Sequence, residues 1–163
     1  MMQPGQIQVA NHQGAYLIKL IGDVRVSLCG SFDQYIETIL SSDNFISVII
    51  DLTEADGIDS TSLGMLAKIS IEARSRFNLT PVIVSNCESI NRLIKSMGFD
   101  HVFDIRDKAP ECISELSELP YVNCSEDGMR EKVLNAHKVL MGLCEENEAK
   151  FKELVNALEQ DNK

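Results

Sequence analysis

The sequence predicts an α/β fold: a sheet of about four to five strands covered by helices, followed by a C-terminal helical extension. Three observations predict it. Between residues 15 and 105, apolar runs of strand length alternate with segments whose apolar residues recur at helical spacing, the pattern of a largely parallel sheet with right-handed crossovers. One run, Phe45 to Leu52, is apolar at almost every position, as a central strand covered on both faces requires. Past residue 107 the β-like runs stop, and from Ser125 onward there is no proline and an apolar stripe of helical period that begins at Met129 and has Gly142 within it.

The elements follow in order. Ala15 to Val26 partly alternates apolar with polar residues and reads as a strand with a bend at Gly22-Asp23. Phe32, Tyr35, Ile36, Ile39 and Leu40 place a helix over Ser31 to Leu40, broken by Ser41-Ser42-Asp43-Asn44. After the central strand, Thr53 to Asp59 leads into Ser60-Thr61-Ser62, a polar cap opening a second helix through Leu63, Leu66, Ala67, Ser70, Ala73 and Phe77. Pro81 to Ser85 is a third strand, and Glu88 to Met97 a helix ended by Gly98. Phe99 to Ile105 returns to the sheet edge. Lys108 to Leu119 reads as a short helix and Pro120 to Asn123 as a linker. Met129, Val133, Ala136, Leu140, Leu143, Phe151, Leu154, Val155 and Leu158 then give one long or two shorter amphipathic helices, expected to be ordered and packed on the protein or on a partner. The boundary falls at 107/108.

Composition narrows the function. Of 163 residues 44% are hydrophobic and the net charge is −10, which opposes binding to nucleic acid or to an anionic membrane surface. Residues 108–163 carry 12 acidic and 7 basic side chains and the first 107 carry 13 and 8, so the acidity is spread evenly and marks no disordered acidic tail. Cys29, Cys87, Cys112, Cys124 and Cys144 are odd in number and irregularly spaced, and read as reduced, mostly buried thiols of a cytoplasmic protein. No stretch combines a basic start with a long apolar run, so a soluble, non-exported protein is expected. No metal set, cofactor motif or catalytic motif is recognisable: His12, His101 and His137 stand apart, and Asp51 at a strand end has no paired base. The chain reads as a binding protein, not an enzyme, with no cofactor.

The most informative stretch is Val48 to Leu66, a buried strand ending in Asp51-Leu52, a turn, Ile58, and then Asp59-Ser60-Thr61-Ser62-Leu63-Gly64 opening a helix. It resembles the signature of the STAS domain family, with Ser62 where the family usually has glycine. The resemblance extends from about Gln6 to Ile105, through Gly22-Asp23 and from Asn91-Arg92-Leu93 to Gly98-Phe99, so residues 1–107 are identified as a STAS domain and 108–163 as a helical extension beyond it. The chain resembles the bacterial members that antagonise anti-sigma factors, in which the serine directly after the aspartate is the regulatory phosphorylation site. That implies Ser60 as the phosphoacceptor, an anti-sigma factor that is also a serine kinase as the partner of the unphosphorylated form, and a serine phosphatase that resets it. A helix start suits such a site, because free N–H groups and the dipole tolerate a phosphate, while Asp56 and Asp59 nearby add repulsion against an acidic partner.

Around Ser60 the reading assigns partner contact to Asp59, Thr61, Ser62, Met65, Asp23 and Arg25. Asp59 has two readings, a helix cap or a group that orients the Ser60 hydroxyl for a kinase. Ser62 is expected to face solvent in the first turn, Gly64 to allow close helix packing, and Met65, off the core stripe, to be either half-buried or an adaptable apolar contact. Relatives often continue the bend as Gly-Glu-Leu-Asp, whereas Gly22-Asp23-Val24-Arg25 puts Arg25 where an acidic residue is common, either as a solvated rim residue or as a guanidinium for a phosphorylated Ser60. Two other functions stay open: a constitutive STAS scaffold or accessory module in a signalling, biofilm or lipid-transport complex, and a small-nucleotide-binding domain, the latter without a phosphate loop in its favour. The extension could also close a homodimer.

Overall fold

Alternation along Ala15–Val24 is strict, with Tyr16, Ile18, Leu20 and Val24 buried and their neighbours half-buried, and this strand organises one half of the sheet. In the computed structural model, which describes residues 3–108 and 115–161, it is β2, preceded by β1 (Gln6–His12). The two are joined by Gln13 (φ 53°) and Gly14 (φ 96°), a two-residue loop with both dihedrals positive, as a tight antiparallel hairpin requires. The sequence pattern shows no strand ahead of Ala15, because Gln-Gly is a weak hairpin signal and Gln6–His12 is only partly buried.

The remaining elements are α1 (Cys29–Leu40), β3 (Ser47–Ile58), α2 (Ser60–Phe77), β4 (Val82–Val84), α3 (Glu88–Ser96), β5 (Asp104–Arg106), β6 (Ser117–Glu118), α4 (Glu126–Met141) and α5 (Glu145–Asp161). Among the described residues six strands lie in the order β5-β4-β3-β2-β1-β6, with β2 to β5 parallel and β1 antiparallel to both neighbours. The expected four to five strands were thus short by β1 and β6. The expected helix over Lys108 to Leu119 is corrected where it is described: Ser117–Glu118 pairs with Gln8 and Val9 instead, and Leu119 N–H donates to the Ile7 carbonyl. The rest of that expected helix, 109–114, lies outside the described residues.

β3 is the central strand anticipated from its composition, but it runs six residues further, to Ile58, pairing with Ile21–Val24 through two register shifts that bracket Gly22. Gly22 sits at φ 73°, and a Cβ there would fall 2.5 Å from the Pro4 carbonyl oxygen, so the bend read at Gly22-Asp23 needs glycine. At the far end of α2, Asn78 adopts the left-handed conformation (φ 54°) that stops the helix. The Phe99 to Ile105 segment is a 3-10 turn over Phe99–His101 followed by the edge strand β5, rather than one strand.

The C-terminal segment is two helices. Leu134, Ala136, His137 and Leu140 of α4 and Asn147, Phe151 and Val155 of α5 are buried. Met129, Val133, Leu143 and Leu158 are half-buried, and Leu154, expected on the packed stripe, is 41% exposed. α4 lies against α2 and α5 lies against α4, and the cover that α4 gives explains why Thr61 to Ala67 are buried without interruption: over its first two turns α2 is enclosed all round.

Candidate functional site

The site is the junction where β3 feeds α2. Asp59, in extended conformation (φ −78°, ψ 168°), is the N-cap, and both its carboxylate oxygens are used by backbone: Oδ1 accepts from Ser62 N–H at 2.9 Å and Oδ2 from Val26 N–H at 2.6 Å. Asp59 N–H donates to the Val24 carbonyl, so this one residue ties the end of β2 to the start of α2. Of its two readings the cap is realised, and no bond joins it to the Ser60 hydroxyl. Asp51 likewise serves locally, accepting from Thr53 N–H at 2.8 Å and from the Thr53 hydroxyl at 2.7 Å, inside β3 rather than at its end.

Ser60 is the first residue of α2 and is half-buried rather than free at a helix tip. Its Oγ lies 2.7 Å from Nε2 of His137, 77 positions away on α4. His137 is 2% exposed, its Nδ1 is 2.7 Å from the Val133 carbonyl oxygen, and its ring meets Phe151 edge-on with centroids 4.9 Å apart. A carbonyl only accepts, so Nδ1 carries a proton, and in the neutral ring Nε2 accepts a hydrogen bond from the Ser60 hydroxyl. No carboxylate orients this imidazole, and Ser60 does not line the neighbouring cleft. The pair is a docking contact and lacks the features of an activated nucleophile. The sequence reading set His137 aside with the other histidines. The available signal was its position: four residues after Val133 and beside Ala136, it falls on the apolar stripe of α4.

The predicted partner residues separate into two groups. Asp23, Arg25 and Asp59 meet Asp56, Gly57, Ser89 and Leu93 around an open cleft of about 270 Å³. There Arg25 Nε donates to Asp23 Oδ2 at 2.9 Å, and the guanidinium, 61% exposed, has its pKa raised first by that hydrogen bond. Thr61, Ser62 and Met65 are buried instead. Ser62, expected to face solvent, is 2% exposed, and Met65, read as half-buried or as an accessible contact, is 4% exposed. The reason is Gly64: a Cβ there would stand 2.3 Å from the Ala136 carbonyl oxygen and 2.7 Å from the Ala136 Cβ, so α4 approaches backbone to backbone and covers the face carrying Met65. Lys132 of α4 adds an ion pair to Asp33 of α1 at 2.7 Å, which Lys68 of α2 approaches at 3.6 Å. The Asp33 hydrogen bond raises the Lys132 pKa.

Among the described residues no group of His, Cys, Asp or Glu is arranged to hold a metal ion, and no helix is long and apolar enough to cross a membrane. The four described cysteines are free thiols, of which only Cys29 is buried, so the expectation of mostly buried thiols is corrected; Cys112 lies outside the described residues. Cys87 caps α3, and its thiol is shifted down by the Ser89 hydroxyl and then by the Ile90 and Ser89 N–H groups, whereas burial pushes Cys29 up. A lowered pKa means thiolate at lower pH, so Cys87 is expected to alkylate first of the four and Cys29 last. Time-resolved iodoacetamide labelling with peptide mass spectrometry near neutral pH checks this order.

A family model described as the STAS domain matches residues 6–112 of the chain. Among solved structures the chain is similar to an anti-sigma factor antagonist from Mycobacterium paratuberculosis, at 19% identity and a TM-score of 0.54, over 64% of this chain and 87% of that one. That likeness establishes the shared fold.

Proposed function

This chain belongs to the STAS domain family, and on that premise we propose that it is a phosphorylation-regulated antagonist of an anti-sigma factor, switched at Ser60. The observation that carries the reading is that Ser60 stands at the first position of α2, directly after an aspartate whose carboxylate is consumed in capping, where the central strand delivers it beside the cleft of Asp23, Arg25, Asp56 and Asp59. In this reading residues 1–107 form the STAS domain and 108–163 the helical extension. The protein acts in the cytoplasm by binding rather than by catalysis. Its unphosphorylated form engages an anti-sigma factor that is also a serine kinase, phosphorylation of Ser60 releases it, and a serine phosphatase restores it. The chemical basis is charge: a phosphate at Ser60 adds nearly two negative charges next to Asp56 and Asp59, which an interface can bury only against matching cations.

A second reading, a constitutive STAS scaffold, draws support from one feature: the Ser60 hydroxyl is already bonded to His137 and the adjoining face of α2 is covered by α4. The two are separated by affinity capture from native lysate combined with phosphopeptide mass spectrometry. On the switch reading, wild type from cells carries phosphate at Ser60, Ser60→Ala retains a kinase-type partner, and Ser60→Asp binds it about tenfold or more weakly, or about 1.4 kcal/mol. No phosphate at residue 60 under any growth condition, together with equal capture by all three proteins, overturns the switch in favour of the scaffold.

A further inference from the structure

We propose that the hairpin α4–α5 is an intramolecular latch on the Ser60 face of α2, and that a phosphoryl group on Ser60 and docked α4 exclude one another. The inference rests on the reading of Ser60 as a phosphoacceptor and adds to it a competitor carried by the same chain. At 2.7 Å, the space between Ser60 Oγ and His137 Nε2 holds a single proton. Phosphorylation replaces that proton with a tetrahedral group bearing three oxygens. In the transfer Oγ forms the new O–P bond as the bond from the γ-phosphorus of a nucleoside triphosphate to its departing diphosphate breaks, and the hydroxyl proton passes to a base of the kinase.

Nothing behind the imidazole gives way. Its Nδ1 is held by Val133, and Phe151 stands at 4.9 Å, itself buried. Nor can α4 slide outward locally while staying docked, because one turn along α2 it touches Gly64 backbone to backbone, and Lys132 is bonded to Asp33. Asn147 then couples α5 to the same body by donating from Nδ2 to the carbonyls of Met97 and Leu140. The phosphate therefore has room only when α4 leaves as a unit. The same geometry bears on a protein partner. The face carrying Met65 is occupied by a helix of the chain itself, so a partner that uses this face must first displace α4, and its apparent affinity falls by the fraction of molecules that are open.

The test uses the full chain with phosphoserine installed at residue 60 during translation, so that no kinase is needed, and reads hydrogen exchange of residues 126–161 against peptides of β2 and β3. Unmodified protein should protect α4 and α5. The phosphorylated protein should lose protection there by about tenfold or more while the sheet is unchanged. Ser60→Ala, which removes the hydroxyl without adding bulk, should keep the hairpin protected. Equal protection with and without phosphate overturns the latch, since α4 would then close over the phosphate. Loss of protection across the sheet as well overturns it too, because the hairpin would be an inseparable part of the core. Loss in Ser60→Ala as large as that in the phosphorylated protein overturns the exclusion argument, leaving the hydrogen bond alone as the tether. Absence of phosphate at Ser60 in cells would remove the switch without altering these exchange outcomes.

Discussion

Gly64→Ala is expected to undock α4–α5 while leaving the sheet folded. The added Cβ would lie 2.3 Å from the carbonyl oxygen, 2.6 Å from the carbonyl carbon and 2.7 Å from the Cβ of Ala136. All three are atoms of a helical backbone or fixed to it, so no side-chain rotation relieves the contact. Overpacking of this kind costs about 1–3 kcal/mol. Within α2 itself the substitution works the other way, because alanine favours a helix interior over glycine by about 1 kcal/mol. The two effects fall on different equilibria. Docking of the hairpin weakens, by about tenfold to a hundredfold at 1.4 kcal/mol per factor of ten, while the intrinsic stability of α2 is preserved or improved. Hydrogen exchange resolves them: amides of residues 126–161 should exchange faster by that factor and amides of β2 and β3 should not. Unchanged exchange in α4 would mean that the interface absorbs a methyl group.

The second large effect is expected at Asn147. This side chain is 1% exposed, at the start of α5, and its Nδ2 donates at 2.8 Å to the carbonyl of Met97, the C-cap of α3, and at 2.9 Å to that of Leu140 in α4. One amide thus joins three helices. Asn147→Ala leaves the Met97 carbonyl without this donor, whereas the Leu140 carbonyl still accepts from Leu143 N–H at 3.1 Å; an unsatisfied group costs about 1–3 kcal/mol where water cannot enter, so a loss of about 1–3 kcal/mol is expected. Asn147→Asp is the sharper probe, because it keeps the shape and replaces the donor with oxygens facing two carbonyl oxygens; it should destabilise at least as much as alanine. At about 2–4 °C per kcal/mol for a chain of this size, the melting temperature should fall by about 2–12 °C in thermal denaturation followed by circular dichroism. A shift under about 2 °C for both variants would show that water replaces the amide and that Asn147 does not hold the hairpin.

Local physics carried much of the fold. Strand and helix periods placed β2, β3, β4 and α1 to α3 because each buries one face against a common core, and that periodicity is written within each segment. The start of α2 was readable for the same reason, since an aspartate followed by small polar residues supplies its own cap within three positions. Where signals were weak the reading failed: β1 pairs through an unmarked Gln-Gly loop, and β6 is two residues whose strand character comes entirely from its partner β1.

What the sequence alone determined, then, is the parallel core, the family signature around Ser60, the glycines at 22 and 64, and the presence of amphipathic helices after Ser125. Only the tertiary structure decided where those helices go. Their placement buries Ser62 and Met65 and joins Ser60 to His137 across 77 positions. It also gives Asn147 its two acceptors and leaves Leu154 outside while Val155 is inside. The physical reason is that an apolar stripe specifies how much surface must be covered but not by what, whereas a close approach such as Gly64 against Ala136 is a property of two backbones that no single segment encodes.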